Sequence, residues 1–192
     1  MASLRALLTT AGQFALAGAE LSPAGVQMVE TAMAAVDTLT EQIVPLRAQL
    51  QTIGANQPGV LALTHQYGID LLSGTIIWAE LGDCRRFSNA DQAVRFAGLD
   101  VTVWSSDGKR SAGRLARQGS PELRWALFEA AKAAARQTSP DHDYYDAIRE
   151  RLSGKRPALS VARKLVRRCY HALRELGDQA WLALAPPEQQ AV

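Results

Sequence analysis

The chain has 192 residues, 47% of them hydrophobic and 21% charged, with a formal net charge of +2. That length supports one domain with a substantial core plus an accessory element, and the near-average composition excludes general disorder and low-complexity polymers. The longest apolar runs, such as 76–79 and 130–135, are far shorter than the ~20 residues of a membrane span, and 1–19 lacks the unbroken apolar block of a secretory leader. The expectation is a cytoplasmic protein with no membrane partner.

Residues 1–20 predict at most a short helix, carried by Leu4, Leu7, Leu8, Phe14 and Leu16. Ser22 and Pro23 make a stronger start, because a serine hydroxyl caps free N–H groups and a proline at the first helical position gives up no bond it would have made. From there apolar residues recur every seven. Val29, Val36, Ile43 and Leu50 fill one heptad position and Ala32, Leu39, Leu46 and Ile53 the other, which is the seam of a coiled coil or of an antiparallel helix pair. Another chain or this one could supply the partner. Pro45 lies inside the seam and predicts a kink or break.

Gln57-Pro58-Gly59 ends that helix. Tyr67 to Gly82 reads as a turn followed by a buried helix, the arrangement in which helix-hairpin-helix modules offer glycine N–H groups to a phosphate. Asp70 stands where such turns usually carry a second glycine, and its carboxylate would repel an anion. Ser88, with Asp91 three residues on, reads as the next helix cap, and Gly98 as that helix's end. Val101 to Trp104 is β-branched and aromatic, Asp107-Gly108 is a tight-turn dipeptide, and 109–119 is basic, so a hairpin or exposed loop is expected. Ser120-Pro121-Glu122 and Ser139-Pro140-Asp141 start two more helices, and a last long one runs from near Ala158 to Leu176. The predicted fold is mainly α: a coiled-coil-type helical segment at 1–56, a multi-helix domain with a helix-hairpin-helix-like element and a small β-hairpin or loop at 57–178, and a tail at 179–192.

Charge is unevenly spread. Residues 1–50 and 51–100 each carry a net −2, whereas 101–192 carries +6. Between 149 and 174 nine cations face one anion, Glu150. On the last helix Val161, Leu165, Val166, Cys169, Ala172, Leu173 and Leu176 form the packed side, which leaves Arg163, Lys164, Arg167, Arg168 and Arg174 largely outside. Such a stretch suits phosphates, an acidic protein surface, or simple solvation.

The sharpest local feature is Ser105-Ser106-Asp107-Gly108-Lys109-Arg110. A hydroxyl just before a tight turn, with cations following, is accessible in positive potential, where attack on a phosphodiester is favoured. Serines also occupy turns for local hydrogen bonding alone. Trp104 beside the pair could stack on a base, while Trp78, Trp125 and Trp181 read as core or semi-buried anchors. His65, His142 and His171 have no metal-ligand spacing, and Asp141, Asp143 and Asp146 fall where acids favour a helix dipole. Cys84 and Cys169 form no CxxC and read as packed thiols.

Taken in order, several short pieces resemble the C-terminal domain of insertion-sequence transposases of the IS one-ten, IS one-sixteen and IS nine-oh-two type. They are Ala79-Glu80-Leu81-Gly82-Asp83, Arg86-Phe87-Ser88, Phe96-Ala97-Gly98-Leu99, Ser106-Asp107-Gly108-Lys109, Gly113-Arg114-Leu115, Arg117-Gln118-Gly119, Leu123-Arg124-Trp125-Ala126-Leu127 and Val161-Ala162-Arg163-Lys164-Leu165. The resemblance covers roughly residues 50–178. It implies a DNA recombinase in which this domain supplies a serine nucleophile together with DNA and guide-RNA contacts, and a RuvC-like half supplies magnesium-binding acids.

On that resemblance Ser106 is the expected nucleophile, with Ser105 its rival. Lys109, Arg110, Arg114, Arg117 and Arg124 are expected to position nucleic acid, and Arg163, Lys164, Arg167 and Arg168 join them from the charge pattern. No RuvC-like half precedes residue 1, so the expectation is a recombinase fragment, inactive alone and without a cofactor in this chain. Expected partners are DNA, a structured guide RNA and a second copy through residues 22–53. The alternative is a stand-alone dimeric helical module that binds nucleic acid or protein without catalysis.

Overall fold

Ser22 caps as its chemistry predicts. Its hydroxyl accepts from the Gly25 N–H at 3.2 Å, and Pro23 opens a helix. The computed structural model describes residues 9–102, 105–106, 109–110, 114–115 and 118–182. Within them α1 spans Thr10–Ala17 and α2 spans Pro23–Ala55. The break expected at Pro45 is absent, since α2 is one helix of 33 residues with Pro45 inside it. Proline removes a single donor, and residues 37–50 are all exposed, so water can take up the carbonyl left without a partner. On the heptad seam Leu39, Ile43 and Leu46 are each 57% exposed, while Val29 and Val36 are partly buried. By compactness the chain divides after Leu46, into Met1–Leu46 and Arg47–Val192.

In the second unit α3 (Pro58–Thr64) and α4 (Leu71–Leu81) are joined by the tight turn read from the sequence. A 3₁₀ turn, Cys84–Arg86, leads to α5 (Ala90–Phe96). The cap of α5 is Asn89 rather than Ser88: the Asn89 carboxamide accepts from Gln92 N at 3.0 Å, and Gln92 Oε1 reaches back to Ser88 N at 2.8 Å. Both residues are good caps, and the reciprocal glutamine selects the later one. Next come four two-residue strands, β1 (Val101–Thr102), β2 (Ser105–Ser106), β3 (Lys109–Arg110) and β4 (Arg114–Leu115). β1 pairs with β4 and β2 with β3, both antiparallel, which is a nested hairpin. Then follow α6 (Pro121–Lys132), a 3₁₀ turn, α7 (His142–Arg149) and α8 (Arg156–Leu176).

The core lies where α4, α6 and α8 meet. Ile77, Leu81, Leu99, Leu123, Leu127 and Val166 are completely buried, and Leu165 is 1% exposed. The α8 face predicted to pack does so, through Val161, Leu165, Val166, Cys169 and Leu173. Trp78 is an anchor: its indole N–H donates to Ala180 O at 2.9 Å and its ring meets Trp181 at 4.6 Å. Trp125 departs from that expectation, at 50% exposure. Among the described residues no helix is long and apolar enough to cross a membrane. The architecture is the mainly helical one predicted, with a long N-terminal helix and a small hairpin inserted in a helical domain.

Candidate nucleic-acid interface

The cations of α8 do not stand clear of the fold. Asp141, just before α7, is buried, and its carboxylate accepts from Arg168 Nη1 at 2.6 Å, Arg168 Nη2 at 2.9 Å and Lys164 Nζ at 2.7 Å. Burial pushes this carboxyl up, but the hydrogen bonds from Arg168 and Lys164 outweigh it and hold the group below the ordinary carboxylate value. Lys164 also lies over the Tyr144 ring at 4.2 Å. Arg167 donates to Asp91 from Nη2 at 2.8 Å and from Nε at 3.0 Å. Arg163 donates Nε to Leu99 O at 2.7 Å, and Arg174 donates Nη1 to Phe87 O at 2.9 Å. The expectation of a largely outward row holds for Arg167 and Arg174, which are exposed, and is corrected for Arg163, Lys164 and Arg168, which are half-buried; all five engage residues at α5, α7 or the loops beside them. Among the described residues Arg95, Arg136 and Arg156 are cations with no side-chain partner.

The hairpin carries the other predicted residues. Ser106 and Lys109 are direct Cα partners, as are Ser105 and Arg110, and Arg114 is the partner of Thr102. The tight turn expected at Asp107-Gly108 lies outside the described residues, as do Trp104 and Arg117. The pairing brings the candidate nucleophile and the first cation of the insertion to one rung of the ladder.

The neck of this insertion is narrow. Gly98 ends α5 with φ +64°, and Leu99 N closes the turn on Val94 O at 3.2 Å. Gly119, on the returning limb, has φ +124°, and a Cβ placed there would stand 2.1 Å from Phe96 O. A Cβ on Gly98 would stand 2.5 Å from Gln118 O. Two main-chain segments therefore touch where only glycines permit it. Arg124 in α6 donates Nη1 to Gly119 O at 2.9 Å.

The α3–α4 turn is filled from within. Asp70 accepts from Ser73 N at 2.7 Å and Ser73 Oγ at 2.6 Å, while Ser73 Oγ accepts from Asp70 N at 2.9 Å. The capping box uses the N–H groups a phosphate would need, in keeping with the repulsion expected of Asp70. Among the described residues no group of three or more His, Cys, Asp or Glu could hold a metal ion. Cys84 and Cys169 are buried, and burial pushes their thiols up to about 11 and about 12.

Residues 61–146 match the family model described as Transposase IS116/IS110/IS902 family. These residues are thus similar to that transposase family. Over 127 residues the chain is 28% identical to a protein described as "Probable family 20 transposase" from Pseudomonas aeruginosa PAO1, an alignment that covers 66% of this chain and 38% of that relative. The chain therefore matches well under half the length of that protein.

Within the matched segment most of the short pieces singled out in the sequence turn out to be joints. Arg86 donates Nη2 to Leu81 O at 3.0 Å, satisfying the end of α4, and its guanidinium lies 4.5 Å from the Phe87 ring centre and 4.4 Å from that of Phe96. Phe96-Ala97-Gly98-Leu99 and Gln118-Gly119 are the two sides of the neck. Leu123, Ala126 and Leu127 fill the core, and Arg124 ties α6 to the returning limb. The sequence missed Asp141, Asp91, Gly98 and Gly119 as positioning residues. The available signal was the pair of glycines flanking a basic insertion, which marks close backbone approach.

Proposed function

We propose that this chain is the DNA-binding, serine-bearing part of a transposase, and that Ser106 is its nucleophile. The observation that carries this is the Ser106–Lys109 rung: the transposase-type match spans the hairpin, and the hairpin's register pairs the candidate nucleophile with a cation. Ser106 Oγ would form a bond to a DNA phosphorus while the bond from phosphorus to a deoxyribose oxygen breaks. The serine gives up its proton and the departing oxygen gains one. The phosphoserine keeps the bond energy, so the same exchange in reverse joins the held end to another strand. Lys109, Arg110, Arg114 and Arg117 offset phosphate charge around the rung. Magnesium, which the resemblance assigns to a RuvC-like half, has no fitting ligand set among the described residues.

DNA is the proposed substrate and a structured guide RNA a further proposed ligand. The open seam on α2 supports a second copy as partner, because Leu39, Ile43, Leu46, Leu50 and Ile53 keep a heptad stripe at 39–57% exposure. The test of the nucleophile is covalent capture in the complete recombinase. Ser106→Ala is expected to abolish the DNA adduct and leave DNA affinity within about twofold, since a lost hydroxyl removes no phosphate-binding charge. Adducts that persist would transfer the role to Ser105 or end it.

A further inference from the structure

Two arginines expected to meet phosphate, Arg163 from the charge pattern and Arg124 from the resemblance, meet main-chain carbonyls at the neck of the serine-bearing insertion. Arg163, from α8, donates Nε to Leu99 O at 2.7 Å on the outgoing limb, two residues before β1. Arg124, from α6, donates Nη1 to Gly119 O at 2.9 Å on the returning limb, four residues after β4. Leu99 is fully buried and Gly119 abuts Phe96 O, so both limbs enter and leave the core at fixed points. The insertion itself is held by short ladders of two residues per strand, too small to fix its own attitude on the domain.

We propose that Arg163 and Arg124 are positioning residues, tying the two limbs of the insertion to α8 and α6 and so setting where the Ser106–Lys109 rung stands, rather than contacting nucleic acid. The functional meaning of this placement rests on the Ser106 assignment; the clamp itself does not. Charge-assisted bonds to carbonyls suit the task, being about twice as strong as neutral ones and directional. The glycine contact closes the neck, and the guanidinium groups fix its two sides to different helices.

The donor atom separates this role from phosphate binding. Glutamine carries its amide nitrogen the same number of bonds from Cα as arginine carries Nε, so Arg163→Gln keeps the donor and loses the charge. Arg163→Lys keeps the charge and moves the donor outward, and Arg163→Met loses both. The experiment is amide hydrogen exchange across 99–119 in the full chain, with binding to a short random-sequence DNA duplex over a salt series. Arg163→Met is expected to speed exchange in the insertion roughly tenfold, the scale of one charge-assisted bond, with α4 and α6 unchanged. Arg163→Gln restores most of that protection, and neither variant changes the salt slope.

Two results overturn the proposal. One is exchange in Arg163→Met equal to wild type. The other is restoration by lysine but not glutamine, with a slope shallower by roughly 0.9 in the neutral variants, as a lost phosphate contact gives. Should Arg163→Met loosen the whole domain, Arg124→Met on the other limb carries the same exchange test. Failure of the Ser106 assignment shows elsewhere, as adducts in Ser106→Ala, a variant whose exchange is expected to match wild type.

Discussion

Asp141 and Arg168 form a short ion pair within the helical domain: Arg168 Nη1 sits 2.6 Å from Asp141 Oδ2, and the Asp141 side chain is only 4% exposed. Removing this carboxylate leaves Arg168 and Lys164 facing a site built for an anion. Asp141→Asn is expected to cost about 3 kcal/mol in urea unfolding at pH 7, at the low end for a broken buried pair because both cations remain about one third exposed. The pH dependence follows from the direction of the shift. Asp141 is held below its ordinary value of 3.8, so its contribution is complete above that value and disappears as pH falls through the lower, folded one. The difference between wild type and Asp141→Asn should therefore be full at neutral pH and shrink only below about pH 4. A difference that vanishes already near pH 6 would contradict the pairing.

The neck glycines should be far less replaceable than another glycine of positive φ. Gly154 has φ +71° with nothing within 4 Å of a Cβ, so Gly154→Ala should cost only the backbone term, about 1 kcal/mol. Gly119→Ala adds a backbone clash at 2.1 Å to its positive φ and is expected to cost at least twice as much. Thermal unfolding of the two variants side by side checks this, and equal losses would mean that the neck is not closed.

These two sites also mark what the sequence reveals and what it does not. Helix starts are local chemistry, so Ser22 and Ser120 with Pro121 are legible as they stand, and so are the ends at Gly82 and Gly98. The cap at Asn89 rather than Ser88 was obscured because adjacent residues could both serve, and the deciding glutamine acts through a side chain. The partners of the α8 cations were hidden for another reason. Periodicity shows which face a residue occupies but not what meets it there: Asp141 is 27 residues from Arg168, Asp91 is 76 from Arg167 and Leu99 is 64 from Arg163. A basic count over 149–174 therefore overstated the charge free to meet phosphate. The hairpin was legible because Asp107-Gly108 and β-branched flanks are short-range signals.

The open seam of α2 gives a separate expectation. Sedimentation of the purified chain should show concentration-dependent self-association, and Leu39→Glu with Leu46→Glu should abolish it, since both lie on one heptad position and are more than half exposed. Domain stability should be unaffected. A wild-type chain that stays monomeric at all concentrations would remove the second copy from the account.

Cys84 and Cys169 should behave as core atoms. With both buried and their thiols pushed up to about 11 and about 12, little thiolate exists at pH 8. Neither should label with a thiol reagent in the folded chain, and both should label in urea. Rapid labelling of either in native buffer would show that the α4–α8 core opens.

The central claim is that the hairpin, and not the middle of α8, is the face presented to nucleic acid. The most direct measurement is duplex DNA binding across a salt series, comparing wild type with a chain in which Lys109, Arg110, Arg114 and Arg117 are neutralised and with Arg163→Gln. The account predicts a steep salt dependence for wild type, a slope shallower by roughly 0.9 per lost contact in the hairpin variant, and an unchanged slope for Arg163→Gln. An unchanged slope in the hairpin variant, or no binding by wild type at low salt, would contradict it.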